Sequence, residues 1–469
     1  MSEGLRRNIR IIMVNPPSPD NRRIIRLIDC SHEAKANYLW QPNDFMIITS
    51  RLNPEDEVIL VDGTCDGLSG EEFLNALRPL RGDLMVFALS SVCWSSDLAA
   101  FKKTKALFPG IPLYVLGDIF LERYYREQIL HDCNGIIFHP YLLDIDRMAS
   151  IRETPGAVLP GVCTAADAEV FSPRKQITFV SSNVTRHEVF LKRGYLFPFA
   201  RHFRFATVTT MWGCPFACSY CTDSKIPPVI RRHEDVLREL DTLKRLDVKE
   251  LFMADKTFGF YHQESYPLLQ EMAKRHHFSW SCYFHPQTYN ADLLQLMSEA
   301  GCHTIIIGID SANIGSLRQY GRNVEVQKLD NLLTHANSLG MNICADFILG
   351  LEHESEEDII RTLEYSLQLP IDFASFNIAA PLPGSDIRAN ALRDGTLMLG
   401  QEGFDTMGHS GILGNKKINH EKIMKLRKNA VRRFYLRPSY LIKRLRRTTS
   451  LEHFRIQFGE MLYLFRKQI

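Results

Sequence analysis

Short apolar runs rich in valine and isoleucine recur along the first part of the chain, and helical patterns separate them. Strands that are apolar throughout must be covered on both faces, which is typical of a parallel sheet between two layers of helices. We therefore predict a doubly wound, Rossmann-like α/β domain over residues 1–150. Its strands are expected in IRIIMVN, DEVILVDGT, DLMVFALSS, PLYVLGD and NGIIFHP. Ligands bind such sheets beyond the carboxyl ends of the strands, which here are Asn15, Asp62, Ser90 to Ser96, Gly117, Asp118 and His139.

A second alternation follows a segment rich in turn-forming residues. Residues 151–200 contain ETPGAVLPGV and SPRK, which predict a linker. Six strand candidates come next: FATVTTMW, KELFMAD, FSWSCYF, HTIIIGID, NICADFILG and DFASFNIAA. Six β/α units in series predict a partial, TIM-like (β/α)6 barrel over residues 201–390, with its active site at the carboxyl ends of the strands. Residues 391–469 change to basic helices, which predict a helical C-terminal domain.

The composition is that of a globular protein with reduced cysteines. Apolar residues make up 45% and charged residues 23%, which are ordinary values. No stretch reaches eighteen consecutive apolar residues, which argues against a transmembrane helix. The run IRIIMVN ends in Asn-Pro-Pro, which favours a first strand over a signal peptide. We therefore expect a cytoplasmic protein whose eleven cysteines are thiols and ligands, without a disulfide framework.

Three cysteines, Cys214, Cys218 and Cys221, fall within eight positions after the first predicted barrel strand. Thiolates on one short loop can converge on a single soft metal centre. A structural zinc ion would need a fourth protein ligand, which a single His or Cys elsewhere could supply, although no CxxC or HxxxH pattern follows. A 4Fe–4S cluster held by three cysteines leaves one iron open for chemistry. Chance clustering is the least favoured interpretation.

The segment CPFACSYC resembles the CxxxCxΦC motif of the radical S-adenosylmethionine (SAM) enzymes, with Tyr220 as the aromatic residue. Four later segments are similar to the family's strand-end segments, in the family's order: LFMADKTFG, GCHTIIIGIDSAN, CADFILGLEHESEED and AAPLPGSDI. The resemblance covers residues 205 to 390. It implies that the three cysteines hold a 4Fe–4S cluster and that SAM binds its open iron. Reduced by one electron, SAM would break into methionine and a 5′-deoxyadenosyl radical.

The same resemblance implies roles for five residues in SAM binding. Tyr220 would pack near the adenine, and Asp255 would pair with the SAM ammonium group. Asp310 stands where the family usually has a glutamate and is one methylene shorter, and Ser311 could supply a hydroxyl group. Gly350 would let the backbone approach the adenosine closely. Each aspartate has a plainer alternative role, which is to cap a strand end.

A doubly wound domain before such a barrel resembles the cobalamin-binding domain of a large subgroup of this family. Asn-Pro-Pro after the first strand and the segment FALSSVCWSS stand where the subgroup has similar residues. The DxHxxG motif is absent, and LGDIFLE and IFHPYLL depart from the subgroup's usual loops. The resemblance implies a cobalamin site at Asn15, Asp62, Ser90, Ser91, Gly117 and Asp118. The alternative is a domain that has lost the corrin, and His139 is either near cobalt or simply a polar strand-end residue.

Charge is distributed unevenly along the chain. Seven Lys, nine Arg and three Glu lie from Lys416 to Ile469, so this segment carries +13 and the remainder −11 of a formal net charge of +2. Basic helices interleaved with apolar residues can lie on an anionic membrane surface or contact nucleic-acid phosphates. Packing on the barrel is the third interpretation and the one we favour. The tail, including FYLRPSYL, resembles that of hopanoid- and bacteriochlorophyll-associated members, which implies a lipid-like or tetrapyrrole-like substrate.

These features predict a radical SAM enzyme that acts on an unactivated carbon of a hydrophobic small molecule or lipid. With cobalamin bound, the expected activity is that of a C-methyltransferase; a rearrangement, cyclisation or oxidation without methylation is the alternative. A zinc-dependent nucleic-acid-binding protein is the remote alternative, because it leaves the ordered barrel segments unexplained. The resemblance also implies an electron donor such as flavodoxin or ferredoxin. We expect His285, Tyr283 and Arg318 to face the active end of the barrel, without an assigned role.

Overall fold

The structure, a computed structural model, describes residues 7–27, 38–168, 176–192, 194–408, 415 and 417–467. The first sheet is formed by the apolar runs, each of which continues until a turn-forming residue ends it. Its strands are β1 (Arg10–Asn15), β2 (Glu57–Asp62), β3 (Leu84–Ala88), β4 (Leu113–Leu116), β5 (Gly135–Ile137) and β6 (Val162–Cys163). The strand order is β2-β1-β3-β4-β5-β6, with β1 to β5 parallel and β6 antiparallel to β5. All five predicted strands of this domain are confirmed.

Helices cover both faces of this sheet, as the uninterrupted apolar strands require. They are α1 (Asn43–Thr49), α2 (Gly70–Leu77), α3 (Trp94–Leu107), α4 (Arg123–Ile129) and α5 (Ile145–Ala149). Helices α1 and α5 contribute to the core on one face, and α2, α3 and α4 contribute to the core on the other. The domain is therefore doubly wound, with the direction of strand order reversing between β1 and β3.

The segment predicted as a linker, residues 151–200, contains regular structure. Strand β6 lies within it and completes the first sheet through pairing of Cys163 with Ile136, so this sheet extends beyond residue 150. The segment also contains β7 (Thr178–Val180) and α6 (His187–Phe190). Elements of two to four residues are too short to show a hydrophobic period, which is why only turn-forming residues were evident in the sequence.

The second large sheet consists of six parallel strands in sequential order. They are β8 (Phe205–Val208), β11 (Glu250–Met253), β12 (Ser279–Tyr283), β13 (Cys302–Asp310), β14 (Asn342–Leu349) and β15 (Phe373–Ile378), arranged β15-β14-β13-β12-β11-β8. The helices of this part of the chain are α7 (His233–Arg245), α8 (His262–Arg275), α9 (Ala291–Glu299), α10 (Ile314–Gln319), α11 (Val326–Ser338), α12 (Glu356–Gln368) and α13 (Asp386–Arg393). All six predicted strands are confirmed.

A small third sheet, which we did not predict, joins the linker segment to the barrel. It contains β9 (Met211–Trp212) and β10 (Val229–Arg231), and its order is β7-β10-β9. Strand β10 is antiparallel to β9 and parallel to β7. Because β9 precedes the three cysteines and β10 follows them, this sheet fixes both ends of the cysteine loop.

The C-terminal region forms α14 (His420–Tyr435), α15 (Pro438–Arg447) and α16 (Leu451–Lys467). Helix α14 packs against α12 and β15, and the buried Arg427 donates from Nε to the Phe376 carbonyl at 2.9 Å. Buried Asp372, just before β15, pairs with Lys443 at 2.9 Å and Arg447 at 2.7 Å. Several of the tail's cations are therefore used in packing on the barrel, as we favoured.

Candidate active site

The loop that carries the three cysteines is closed at its base by β9 and β10. Directly inside that pair, the Cys214 N–H donates to the Ile226 carbonyl at 3.1 Å. Gly213 has a φ of +82°, and a Cβ there would lie 2.5 Å from the Pro227 carbonyl oxygen. Only glycine fits this turn without strain. The protein's own contacts therefore hold the ends of the loop.

The three thiols lie close enough to influence one another's charge. Burial raises the pKa of the Cys221 thiol well above its ordinary value, and the charges of Asp223, Cys214 and Cys218 raise it further. Three thiolates therefore repel each other here unless a cationic centre neutralises them. The three sulfur atoms do not all lie within 4.8 Å of one another, so at least one pair is farther apart than that. A tetrahedral zinc ion with 2.3 Å Zn–S bonds would need sulfurs about 3.8 Å apart, so at least one of these side chains would have to move to bind zinc.

A buried ion pair connects the cysteine loop to the end of β13. Asp310 has a φ of +68°, and its Oδ2 accepts from the Tyr220 hydroxyl at 2.9 Å and lies 2.7 Å from Arg322 Nε. Burial raises the pKa of the Cys218 thiol, and the charge of Arg322 opposes that rise. Arg322 also donates to the Gly308 carbonyl. Arg322 was not predicted from the sequence, since nothing there distinguishes it from neighbouring arginines. The predicted contact of Asp310 and Tyr220 with SAM stays a prediction, and their observed partners are each other and Arg322.

Ser311 and Gly350 meet through a second residue that the sequence did not reveal. Glu354, which is 1% exposed, accepts from Ser311 Oγ at 2.9 Å, Gly350 N at 2.9 Å and Leu351 N at 3.1 Å. Burial raises the pKa of this carboxyl to about 7. Glu354 therefore joins the ends of β13 and β14. The segment LEHESEED contains several acidic residues, and only the fold shows which of them is buried.

Asp255, the predicted partner of the SAM ammonium group, lies two residues beyond β11 and is 1% exposed. Its Oδ1 accepts from Thr210 N at 2.6 Å, and its Oδ2 accepts from the Thr210 hydroxyl. Burial raises the pKa of this carboxyl to about 6. Asp255 thus supports the strand end just before the cysteine loop, and its contact with SAM stays a prediction.

Two of the three further pocket residues lie near the loop. His285 stacks on Phe216 of the cysteine segment, with ring centroids 3.7 Å apart, and burial with nearby Arg322 lowers the pKa of His285 to about 2. The Tyr283 ring lies 5.6 Å from Lys256 Nζ. Arg318 is instead exposed on α10, which follows the carboxyl end of β13, and its predicted position at the active end of the barrel stays a prediction. The helix turns this side chain outward, and Arg322 occupies the inner position.

The residues predicted at the carboxyl edge of the first sheet do come together. Asp62 accepts from Asn15 Nδ2 at 2.9 Å and from the Tyr195 hydroxyl at 2.6 Å. Ser91 N donates to Asp118 at 3.0 Å. The backbone at Gly117 lies against the Leu89 carbonyl, because a Cβ at Gly117 would lie 1.9 Å from that oxygen.

A buried ion pair fills the crevice where strand order reverses. Arg26 and Asp97 lie 2.9 Å apart with side chains 1% and 0% exposed. Arg26 also donates to Asn15 Oδ1 and the Pro16 carbonyl, while Asp97 accepts from Ser90. The predicted polar residues Asn15 and Ser90 are therefore engaged within the protein.

Two cavities separate this sheet edge from the barrel. The larger, of about 50 Å³, is lined by Asn15, Asp62 and Ala88 on one side and by Thr207, Thr209 and Gly213 on the other. The smaller, of about 30 Å³, is lined by Gly117, Asp118, Phe138 and Ile226 among others, and Trp212 and Asp44 border both. His139 packs edge-on against Trp212, with centroids 5.6 Å apart, and burial lowers the pKa of His139 to about 4. The interface between the domains therefore contains two small cavities whose walls are largely apolar.

Residues 208–366 match the sequence model of the radical SAM superfamily. The chain carries a radical SAM domain. Its three cysteines lie on the loop between β9 and β10, beyond the carboxyl end of β8, and their assignment to a 4Fe–4S cluster stays a prediction.

Curated relatives cover the radical SAM domain and part of its surroundings. An uncharacterized methyltransferase of Pyrococcus horikoshii is 31% identical over 245 residues, which are 51% of this chain and 53% of that protein. Hopanoid C-2 methylase of Rhodopseudomonas palustris is 23% identical over 291 residues, 59% of this chain and 53% of that protein. The chain thus spans about half the length of these relatives.

The fold is also similar to that of a solved structure over most of the chain. The radical SAM methyltransferase TsrM from Kitasatospora setae, with cobalamin and a [4Fe-4S] cluster bound, superimposes with a TM-score of 0.64 at 14% identity, covering 82% of this chain and 79% of that one. At this identity the likeness shows the fold alone.

Proposed function

We propose that this chain is a radical SAM methyltransferase that uses cobalamin and acts on a carbon atom of a hydrophobic, lipid-like or tetrapyrrole-like substrate. One observation carries the proposal: Gly213 and Asp223, on either side of the three cysteines, line the same interdomain cleft as Asn15 and Asp62 at the carboxyl edge of the first sheet. A radical source and a corrin would have to share such a cleft with the substrate. When bound, the cluster, SAM and cobalamin supply an abstracting radical and a transferable methyl group.

The chain's own residues hold and shield these groups. Cys214, Cys218 and Cys221 would bind the cluster, and the positive charge of Arg322 favours the thiolate form of Cys218 against the effect of burial. Tyr220 presents its ring beside the cluster while Asp310 holds its hydroxyl. Apolar walls such as Trp212 exclude water, which protects a radical from unwanted quenching.

At the sheet edge, the groups that would hold cobalamin are Asn15, Asp62, Ser90, Ser91, Gly117 and Asp118. Most of their side chains are already hydrogen-bonded within the protein, so the contact would come mainly from backbone and from the apolar wall. Asp255, Ser311 and Gly350 would complete the SAM site with Tyr220 and Asp310.

Metal and corrin content of the anaerobically purified full chain, made with cobalamin in the medium, tests the proposal. We expect about four irons per chain and stoichiometric corrin, with 5′-deoxyadenosine formed from SAM after reduction. Zinc in place of iron would contradict the assignment of the cysteines.

A cysteine variant locates the metal centre. Cys218→Ala is expected to lose iron and SAM cleavage, whereas Cys133→Ala, which lies in the first domain, is expected to retain both. Formation of 5′-deoxyadenosine by the Cys218 variant would rule out the proposed cluster site.

A second function, radical rearrangement, cyclisation or oxidation without methylation, is favoured by the Arg26–Asp97 pair. This pair fills the reversal point at which such sheets bind ligands. A protein with iron and SAM cleavage but without corrin would support this second function. Both functions need an electron donor, for which reduced flavodoxin or ferredoxin is proposed.

A further inference from the structure

The last two helices expose an apolar surface that the packing of the tail leaves uncovered. On α16 the exposed residues recur every three or four positions, as one stripe of a helix does. They are Leu451, Phe454, Phe458, Met461, Leu462 and Phe465. Helix α15 adds Leu441, Ile442 and Leu445. We call these nine residues the α15–α16 face.

The opposite sides of both helices are anchored to the barrel. On α16, Ile456 belongs to the same buried apolar cluster as Phe252 and Ile306 of the barrel strands, and Glu452 accepts from the Phe203 N–H at 2.6 Å. On α15, Lys443 and Arg447 bind Asp372. The helices are therefore already fixed on the barrel, and the α15–α16 face is a second apolar side. Leu445 and Leu451 are each 66% exposed.

Cations accompany the α15–α16 face. Eight Lys and Arg oppose two Glu between Leu436 and Lys467. Arg455 and Arg466 are exposed and, eleven positions apart, lie on the same side of α16. Neither has an ion-pair partner among the residues that the structure describes. No helix in the described part of the chain is long and apolar enough to span a membrane.

We propose that the α15–α16 face docks on the surface of an anionic membrane. Apolar side chains of such a helix enter the boundary between headgroups and acyl chains while arginines remain with the phosphates. The α15–α16 face combines Phe and Leu side chains with arginines that have no ion-pair partner among the described residues. This combination complements an anionic lipid surface better than a sugar–phosphate backbone alone. Because α15 and Glu452 bind the segments that begin β14, β15 and β8, the face lies at the amino end of the barrel strands. The cleft at the carboxyl ends points away from the membrane. The proposal does not depend on the proposed function.

Flotation of the full chain with vesicles tests this docking. The chain is expected to float with phosphatidylcholine vesicles that contain phosphatidylglycerol, to float less with pure phosphatidylcholine, and to lose binding as salt is raised. Replacing Phe454 and Phe458 together by Ser is expected to weaken binding at least about tenfold. Replacing Met398 and Leu399, exposed apolar residues elsewhere, by Ser is the matched control and should leave binding unchanged.

Charge variants separate the electrostatic contribution to vesicle binding from the apolar contribution. Each of Arg455→Gln and Arg466→Gln is expected to weaken vesicle binding about fivefold, and Lys103→Gln on α3 should not change it. Absence of vesicle binding by the wild type would overturn the proposal. So would a wild-type dimer that the Phe454/Phe458 variant converts to a monomer in light scattering, or binding of RNA without binding of vesicles. Iron content is unaffected in each case, so failure here is distinct from failure of the proposed function.

Discussion

Asp310 shows at the scale of one residue why a motif does not specify side-chain contacts. The sequence placed a shortened carboxylate at the end of β13, and the structure bonds it to Tyr220 and Arg322. The positions of the cysteines and of the strand-end residues were predictable, because they follow from spacing and from β/α alternation. The buried positions of Arg322 and Glu354 were not predictable, because which of several charged residues is buried depends on how the segments after the strands turn toward the barrel.

Arg322→Met is expected to destabilise the protein by about 3–5 kcal/mol, because it leaves Asp310 as an uncompensated buried charge. The free energy of urea unfolding measures this change. Arg318→Met, four positions away and exposed, is the matched control and is expected to stay within about 0.5 kcal/mol of the wild type. Equal losses in both variants would refute the role of the buried pair.

Glu239 predicts an acid dependence of stability. It pairs with Arg231 and His187, each at 2.6 Å. Burial opposes its ionisation, but Arg231 and His187 outweigh burial and lower the pKa of Glu239 to about 2, from 4.5. Since the folded-state pKa is depressed, the ionised carboxylate contributes stability above pH 4.5 and loses it as pH falls from 4.5 towards 2. That contribution is about 3 kcal/mol.

Wild type and Glu239→Gln should therefore converge in unfolding free energy as the pH is lowered through this window, because the variant lacks the titrating group. Chemical unfolding at several pH values measures the difference. Glu239 titrates over roughly pH 5 to pH 2.5. A difference in unfolding free energy that stays constant over that range would contradict the assignment.

At the scale of elements, long periodic segments were predictable and short ones were not. Eleven strands of the two large sheets follow from apolar runs in the sequence. Strands β6, β7, β9 and β10 contain two or three residues, so pairing partners distant in sequence determine them. The small sheet that closes the cysteine loop belongs to this second group.

Gly213→Ala tests the turn that opens the cysteine loop. The new Cβ would meet the Pro227 carbonyl, and alanine is strained at a φ of +82°, so we expect a loss of about 1–3 kcal/mol and lower iron content. Thermal unfolding and iron analysis measure the two effects. Gly110→Ala, where the Cβ would meet nothing within 4 Å, should be nearly neutral; a similar loss there would remove the specific role of Gly213.

At the scale of the whole molecule, polar contacts lock the two large domains together. Buried Arg388 of α13 pairs with Glu122 beside α4, and Ser95 of α3 donates from its backbone to Glu402 at 2.8 Å. Both contacts join the first domain to residues that follow β15. The domain order was predictable from the sequence, but this docking was not, because it depends on single side chains more than 200 positions apart.

Arg388→Met is expected to loosen the domains, since Glu122 then loses its partner, at a cost of about 3 kcal/mol. Limited proteolysis should cut the variant faster between the domains, and unfolding should separate into two transitions. Arg393→Met, exposed on the same helix, is the control. A single unfolding transition and unchanged cleavage in the Arg388 variant would contradict this view of the interface.

The strand pair at the base of the cysteine loop affects how the protein responds to oxidation. Iron–sulfur centres are easily destroyed by oxidation, and many metal-binding loops collapse when the metal is lost. Here the β9–β10 pair and the Cys214 N–H hold the loop ends through protein contacts. We therefore expect loss of the proposed cluster to leave the loop ends in place, so that the cluster can be rebuilt without unfolding of the chain.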